Sequence, residues 1–259
     1  MASPSPSPSP SPSPSTQPQQ PAPVPATSNQ QPAGVGRQKR PARHFRAPVW
    51  LRWPVIGLSL LPAAWIGFAL WSDLTRDTRF LGANPVKEME HFMGEWNIRF
   101  LVLTLAVSPL IKVTGWGWLI RYRRIFGLLA FFYIFLHLTI YFVLDAELSW
   151  SLLVEDVSDR LYITLGMAGF LLLVPLAITS TKGWIKRLGN RRWNALHWLI
   201  FPAVVLGMIH YYMAVKRDIR EPLVYALIFA LLFWFRLRNR KGPSKATEGV
   251  SAVRQRRTA

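Results

Sequence analysis

The hydrophobic pattern of this chain consists of long apolar runs separated by shorter polar connections. A membrane-spanning helix needs about 20 consecutive apolar residues, because each residue rises about 1.5 Å and the hydrocarbon core of a bilayer is about 30 Å thick. The pattern therefore predicts an all-α, polytopic membrane protein that folds as a six-helix transmembrane bundle. The six predicted spans, of which the second and sixth are short, are approximately 54–71, 96–112, 124–144, 160–179, 194–214 and 221–236.

The connections between these runs differ in charge. Of the 31 basic residues, 23 precede the first run or follow the second, fourth and sixth runs, whereas 12 of the 13 acidic residues belong to the opposite side. Because basic residues are retained on the cytoplasmic side of a membrane, both termini are predicted to be cytoplasmic. The net charge of +18 is then a topology signal, and the sequence does not indicate nucleic-acid binding.

The regions outside the apolar runs divide the chain into three parts. Residues 1–48 are predicted to be a disordered, Ser/Pro-rich and then basic cytoplasmic tail, because Ser and Pro alternate from 3 to 15 and little apolar surface follows. This tail has no apolar run, so it is not a signal peptide. Residues 49–240 form the membrane domain and 241–259 a basic cytoplasmic tail. The connection from Ser72 to Glu95 is predicted as an outer loop.

Three histidines, His137, His197 and His210, lie inside the apolar runs. An ionisable side chain in hydrocarbon is costly, so it indicates a function, and histidine is a common axial ligand of haem iron. Helix direction places His137 about 20 Å from the inner end of its span, since 13 residues rise roughly 1.5 Å each. His210 falls at a similar depth in the fifth span. The two are predicted to bind one haem from opposite faces.

The third histidine, His197, lies close to the cytoplasmic surface by the same measure. It is about 20 Å from His210 along the helix, so the two cannot bind one iron. The number of haems, one or two, and any second ligand for His197 remain open at this point. Hydrogen bonding between helices is the plainer alternative for a single buried histidine, but three in this arrangement favour haem. A transporter would be expected to use Asp or Glu within the spans.

Other polar residues have simpler interpretations. His91 is predicted as a surface residue rather than a cap on the outer site, and His44 as a solvated residue of the tail. Arg99 is expected to pair with Glu95, four residues earlier, rather than with a haem propionate. The basic connection 182–192 could hold a flavin phosphate, although membrane topology alone explains its charge. The chain has no cysteine, which excludes disulfides and thiolate-bound iron–sulfur clusters.

Five stretches of this sequence resemble a known family. They carry the sequences GEWNIRF, RRIFGLLAFFYIFLH, TSTKGW, RWNALH and HYY, at 94–100, 123–137, 179–184, 192–197 and 210–212. Together they resemble the MsrQ (also called YedZ) family, the haem-binding membrane subunits of the bacterial periplasmic methionine-sulfoxide reductase system. This family belongs to the ferric-reductase-like transmembrane group. The resemblance covers about residues 50–240, so that 49–240 is expected to be a ferric-reductase-like haem-binding domain.

The resemblance implies a six-helix b-type cytochrome with haem and FMN as cofactors. Electrons would come from the quinone pool and pass to a periplasmic molybdopterin subunit, which reduces methionine sulfoxide in oxidised proteins. His137, His197 and His210 match the haem-ligand positions of the family, whereas no FMN residues can be assigned. The chain would transfer electrons, with the sulfoxide chemistry in the partner of a heterodimer. Competing functions are a membrane cytochrome b for another acceptor such as ferric iron, and a haem-free transporter or scaffold.

Overall fold

The computed structural model describes residues 49–76, 78–215 and 218–238, and all regular structure within these ranges is helical. This confirms the all-α fold class. The tails predicted at 1–48 and 241–259, including His44, lie outside the described residues. Within the described ranges, eight α-helices follow one another: α1 (Arg52–Arg76), α2 (Pro85–Thr114), α3 (Ile120–Ile140), α4 (Trp150–Asp159), α5 (Leu161–Ile178), α6 (Lys182–Leu196), α7 (Ile200–Ala214) and α8 (Arg220–Arg238).

Short turns of other helical types extend several of these helices. A 3₁₀ turn at Val49–Leu51 precedes α1, another at Gly117–Leu119 precedes α3, and a π-helical turn at Tyr141–Asp145 follows α3. A further 3₁₀ turn at His197–Leu199 joins α6 to α7. Pro202 lies at the third position of α7 and has no backbone N–H, which explains why the α-helical hydrogen-bond pattern is interrupted just before it.

Five helical stretches are long and apolar enough to cross a membrane, and they overlap the first five predicted spans. Many of their large apolar side chains are exposed, as expected for helices that face lipid. The sixth predicted span is helical as α8, but its apolar part is shorter than a membrane crossing needs. Only 14 residues separate Glu221 from Arg236, and they rise about 21 Å. The five stretches are Arg52–Arg76, Pro85–Thr114, Gly117–Asp145, Leu161–Ile178 and Lys182–Ala214.

The second helix begins much earlier than the hydrophobic pattern predicted. The expected loop from Ser72 to Glu95 is wrong at both ends, since α1 continues to Arg76 and α2 starts at Pro85. Asn84 caps α2 by accepting a hydrogen bond from the Lys87 N–H at 3.2 Å, and proline is favourable at a first helical position. The first turns of α2 are polar, so a hydropathy criterion does not detect them.

Two helical segments lie where the pattern predicted connections. The ten-residue helix α4 starts after Ser149, whose side chain accepts a hydrogen bond from the Leu152 N–H at 3.4 Å. The segment α6 starts after Thr181, which caps it in the same way, and is kinked at Gly189, where φ is 71°. Glycine adopts this left-handed conformation without the steric cost of a Cβ.

Two pairs of helices pack most extensively, α2 with α3 and α5 with α7. Small residues allow both close approaches: a Cβ on Gly127 of α3 would lie 3.6 Å from Thr104 of α2, and one on Gly169 of α5 would lie 3.4 Å from the Ala203 carbonyl oxygen of α7. Glycine at such crossings is typical of membrane helices. These two helix pairs carry the residues that line the main cavity.

Candidate functional site

A cavity of about 290 Å³ lies among α2, α3, α5 and α7, with Phe229 of α8 also in its wall. One end is polar and includes Lys87, Glu90 and Asp145, and the rest of the wall is mainly apolar. Two of the three histidines predicted for the site, His137 and His210, are among the lining residues. The structure therefore brings together the two histidines that were predicted, from their similar depth in the membrane, to bind one haem.

The two imidazole rings lie edge to face and belong to helices that are distant in sequence. His137 of α3 and His210 of α7 have ring centroids 6.2 Å apart and ring planes at 82° to each other. Two imidazoles that bind one metal ion from opposite sides, with metal–nitrogen bonds of about 2.0 Å, have ring centroids about 6 Å apart. The observed separation matches that arrangement.

Each ring is held by a backbone carbonyl of a neighbouring helix. His137 Nδ1 lies 2.9 Å from the Glu90 carbonyl oxygen of α2, and His210 Nδ1 lies 2.7 Å from the Tyr162 carbonyl oxygen of α5. A carbonyl oxygen only accepts hydrogen bonds, so Nδ1 carries the proton and donates in both cases. The Nε2 atom of each ring is then left without a proton, which is the form that binds a metal.

Two glycines provide space beside the rings. A Cβ on Gly166 of α5 would lie 2.8 Å from His210 Nδ1, closer than real Cβ contacts occur. A Cβ on Gly94 of α2 would lie 3.6 Å from His137 Nδ1, an ordinary contact. Gly166 is therefore required for the position of the His210 ring, whereas Gly94 is compatible with a small side chain. Sequence reasoning missed Gly166, because helix periodicity does not say which glycine faces a histidine.

The residues present fit haem better than a bare metal ion. Within the described ranges, no group of three His, Cys, Asp or Glu side chains could hold a metal by itself. Two opposed histidines supply only axial ligands, so the ion must bring its own equatorial ligands, as the iron of a porphyrin does. The long apolar wall suits a porphyrin ring, and Lys87 and His91 offer partners for carboxylates such as its propionates.

Two buried oxygen atoms in the cavity wall lack partners. Asn97 Oδ1 and Glu90 Oε1 have no hydrogen-bond partner among the described residues, and Asn97 is only 8% exposed. Buried polar atoms are nearly always satisfied in native proteins. Both residues line the cavity, so these atoms are consistent with a site that is completed by a bound group or by water.

The third predicted ligand, His197, lies outside this cavity. Its ring stacks on Trp193 with centroids 3.8 Å apart, and its Nδ1 lies 3.1 Å from the Trp193 carbonyl oxygen. Arg123 of α3 is close enough to interact with His197 electrostatically. These two residues are 74 positions apart, so the sequence pattern did not connect them. The structure does not bring His197 together with His137 and His210.

Two secondary predictions have different outcomes. The Glu95–Arg99 pair is confirmed, with 2.7 Å between Glu95 Oε2 and Arg99 Nη2, and the Arg99 guanidinium also lies over the Trp96 ring at 4.9 Å. The prediction that His91 is simply a surface residue is wrong, because His91 is half-buried and lines the polar end of the cavity. The early start of α2 explains this difference, since it places His91 on the same helix as Gly94.

Two comparisons with known proteins agree with this geometry, one with a family model and one with individual relatives. Residues 93–208 match the family model of the ferric reductase like transmembrane component, so the chain resembles ferric-reductase-like membrane proteins over these residues. It is 47% identical over 193 residues to the "protein-methionine-sulfoxide reductase heme-binding subunit MsrQ" of Xanthomonas campestris pv. campestris (strain 8004), covering 74% of this chain and 88% of the relative. The protein of the same name from Rhodospirillum rubrum is 45% identical over 203 residues, or 77% and 87% of the two chains.

At this identity and coverage the chain belongs to the MsrQ family. The resemblance seen in the sequence motifs is thereby confirmed. The family match and the five membrane-length helices also identify a multi-pass membrane protein.

Proposed function

We propose that this chain is the haem-binding, electron-transfer subunit of a protein-methionine-sulfoxide reductase. The observation that carries the proposal is the opposed pair His137 and His210, with ring centroids 6.2 Å apart and both Nδ1 atoms held by backbone carbonyls. The MsrQ relatives are named as haem-binding subunits of a protein-methionine-sulfoxide reductase. A b-type haem bound there supplies one-electron redox chemistry between a donor and an acceptor.

The contribution of the protein is to fix the ligands before the cofactor binds. The Glu90 and Tyr162 carbonyls set the tautomer and the rotation of the two rings, so both Nε2 atoms are available without rearrangement. Gly166 leaves the space that the His210 ring needs. The apolar wall keeps water from the site, which favours a stable low-dielectric environment for electron transfer.

We further propose that α8 is the sixth span and that both termini are cytoplasmic in the bacterial inner membrane. The concentration of basic residues on one side supports this orientation. A 14-residue apolar segment is short for a bilayer, but Arg238 is exposed at its end and can extend its charged group toward the interface. In this orientation the polar end of the cavity faces the periplasm.

The proposed route runs from the quinone pool through this chain to a periplasmic molybdopterin subunit in a heterodimer. FMN is a proposed second cofactor, for which the basic stretch 182–192 offers a counter-charge. His197 is the proposed ligand of a second, inner haem, because it matches the motif RWNALH and lies on the side opposite the outer pair. Sulfoxide reduction itself takes place in the partner, where two electrons and two protons convert the sulfoxide to a thioether and water.

The test is an optical spectrum of the purified full chain combined with haem quantification. The expected result is a Soret band that shifts on dithionite reduction, with one or two haems per polypeptide, and reoxidation when the catalytic subunit and a sulfoxide substrate are added. No haem-dependent band would identify a haem-free transporter or scaffold. Reoxidation by a ferric chelate but not by the catalytic subunit would favour a ferric reductase, which the ferric-reductase-like match makes the second candidate.

A further inference from the structure

The short helix α4 exposes an apolar face that the proposed haem site does not use. Trp150 and Val154, one turn apart on α4, are 71% and 65% exposed, and Leu148 in the preceding turn is 60% exposed. Leu153 and Asp156 are buried on the other side of α4. With ten residues, α4 is too short to span a bilayer. Its exposed face therefore needs another explanation than a transmembrane role.

This helix is attached directly to the end of the helix that carries His137. The Tyr141 hydroxyl donates a hydrogen bond to Asp156 Oδ2 at 2.5 Å, and Arg160 Nε lies 3.1 Å from Asp156 Oδ1. Tyr141 lines the haem cavity. Only one side-chain contact thus separates α4 from the cavity wall, which makes α4 suitable for bringing an electron acceptor close to the site.

The turn that leads into α4 has an unusual backbone. Glu147 and Leu148 have φ values of 48° and 60°, and they are the non-glycine residues with positive φ in the part of the chain that the structure describes. The turn is fixed to the His137 helix by two backbone hydrogen bonds, from the Leu148 N–H to the Phe142 carbonyl at 2.9 Å and from the Ala146 N–H to the Tyr141 carbonyl at 2.8 Å. Such strained positions cluster at functional sites, and here one presents an exposed leucine.

The charge of this region favours a protein over a lipid surface. Residues 145–160 contain five acidic residues and one arginine, and that arginine is paired with Asp156. Helices that lie on membrane surfaces usually carry Lys or Arg on their polar face, whereas α4 has neither between Trp150 and Asp159. The exposed Trp150, with Glu155 and Asp159 exposed farther round the same helix, instead matches a protein interface with an aromatic anchor and a charged rim.

We propose that α4 and its preceding turn, residues 147–159, form the docking surface for the catalytic subunit of the reductase. Trp150 and Val154 make the apolar contact, and Glu155 and Asp159 receive basic side chains of the partner. This inference rests on the proposed function, because it takes the partner to be the electron-accepting subunit on the same side as the polar end of the cavity.

The first test measures the affinity of the detergent-purified, haem-loaded chain for the purified catalytic subunit. Trp150→Ser is expected to weaken binding roughly thirtyfold, as truncation of a central aromatic anchor does. Trp116→Ser is the matched control, since Trp116 is 53% exposed at the opposite end of the bundle. Equal effects of the two substitutions, or none from Trp150→Ser, would overturn the docking surface.

A second pair of variants tests the acidic rim. Glu155→Lys is expected to weaken binding about tenfold at low salt, with the difference shrinking as salt is added. Asp218→Lys makes the same charge change at an exposed position between α7 and α8. If overall negative charge alone attracted the partner, the two variants would bind equally weakly, and the specific role of α4 would be contradicted.

A spin label separates protein docking from lipid binding. The chain has no cysteine, so Val154→Cys gives a single labelling site in the full protein in nanodiscs. We expect collisions with a water-soluble relaxation agent in the free protein and immobilisation of the label when the catalytic subunit is added. Collisions only with dissolved oxygen, unchanged by the partner, would place α4 in lipid and overturn the proposal.

The outcomes also distinguish this inference from the proposed function. If wild-type protein binds the catalytic subunit and its haem is reoxidised by it, the proposed function stands whatever the α4 variants show. If wild-type protein neither binds nor transfers electrons to that subunit, the proposed function fails and takes the docking surface with it.

Discussion

The histidines proposed as outer and inner haem ligands occupy very different surroundings. His137 and His210 line one cavity, have ring centroids 6.2 Å apart, and are each fixed by a carbonyl from a different helix. His197 hydrogen-bonds to Trp193, four residues earlier on its own helical segment, and stacks on that residue's ring at 3.8 Å. The outer pair is built by four helices, whereas the inner histidine is held within one.

This difference shows what preorganisation requires. A pair of ligands on separate helices keeps its geometry only if each ring is held from outside its own helix, because rotation of either side chain would lose the metal. The outer site meets that condition twice. The inner histidine lacks a second imidazole within the described residues, and its neighbour is Arg123. The comparison predicts that substitutions at the outer site have larger and more specific effects.

Loss of an outer ligand is expected to have the largest effect. His137→Ala and His210→Ala should each abolish the same haem signal, since either substitution would remove one of the two proposed haem ligands. The absorption spectrum of the reduced protein and haem content per chain provide the measurement. A full spectrum after His210→Ala would show that the outer pairing is wrong.

Gly166→Ala is expected to have the second-largest effect on haem binding. The added Cβ would lie 2.8 Å from His210 Nδ1, so the ring must shift, and such overpacking costs about 1–3 kcal/mol. We expect a marked loss of haem occupancy or a shifted spectrum. Gly67→Ala is the control, because Gly67 lies in α1 outside the cavity lining and its Cβ would meet nothing within 4 Å. Equal haem content in both variants would mean that the His210 ring does not need this space.

His197→Ala tests whether the surroundings of His197 are independent of the cavity lined by His137 and His210. The outer haem signal is expected to survive, because His197 does not touch the cavity. If a second haem is bound on the inner side, haem content should fall from two to one per chain. If the substitution removed the outer haem signal and also lowered the stability of the protein, the two regions would not be independent. A thermal unfolding curve measured in parallel detects the change in stability.

The smallest effect is expected at the attachment of α4. Tyr141→Phe removes the hydrogen bond to Asp156, and such a bond contributes about 0.5–1.5 kcal/mol. The unfolding midpoint should decrease slightly, with the haem spectrum nearly unchanged. Tyr212→Phe serves as control, because Tyr212 is 50% exposed. An unchanged midpoint in Tyr141→Phe would show that Asp156 does not depend on this bond.

Much of the fold could be predicted from hydrophobic pattern, and the errors have one physical cause. The first five predicted spans correspond to membrane-length helices, because a bilayer imposes both length and apolarity on a helix. The start of α2, the whole of α4 and the first part of α6 were missed. These segments are polar or amphipathic and are set by caps at Asn84, Ser149 and Thr181, which a hydropathy window does not detect.

The site could be predicted in part. Counting residues along a helix gives depth, and depth alone paired His137 with His210 and separated His197 from them. The same count misjudged His91, because it depended on where α2 begins. It also gave no indication of Gly166, since its role follows from the rotation of α5 relative to α7.

The sequence by itself determined the class of this protein, the depth of each histidine and the charge asymmetry across the membrane, because these follow from local composition and helix rise. Only the tertiary structure decided which surfaces meet. Contacts such as His137 with the Glu90 carbonyl and His210 with the Tyr162 carbonyl join residues 47 and 48 positions apart. They depend on how whole helices rotate and cross, and side-chain packing between helices sets that geometry.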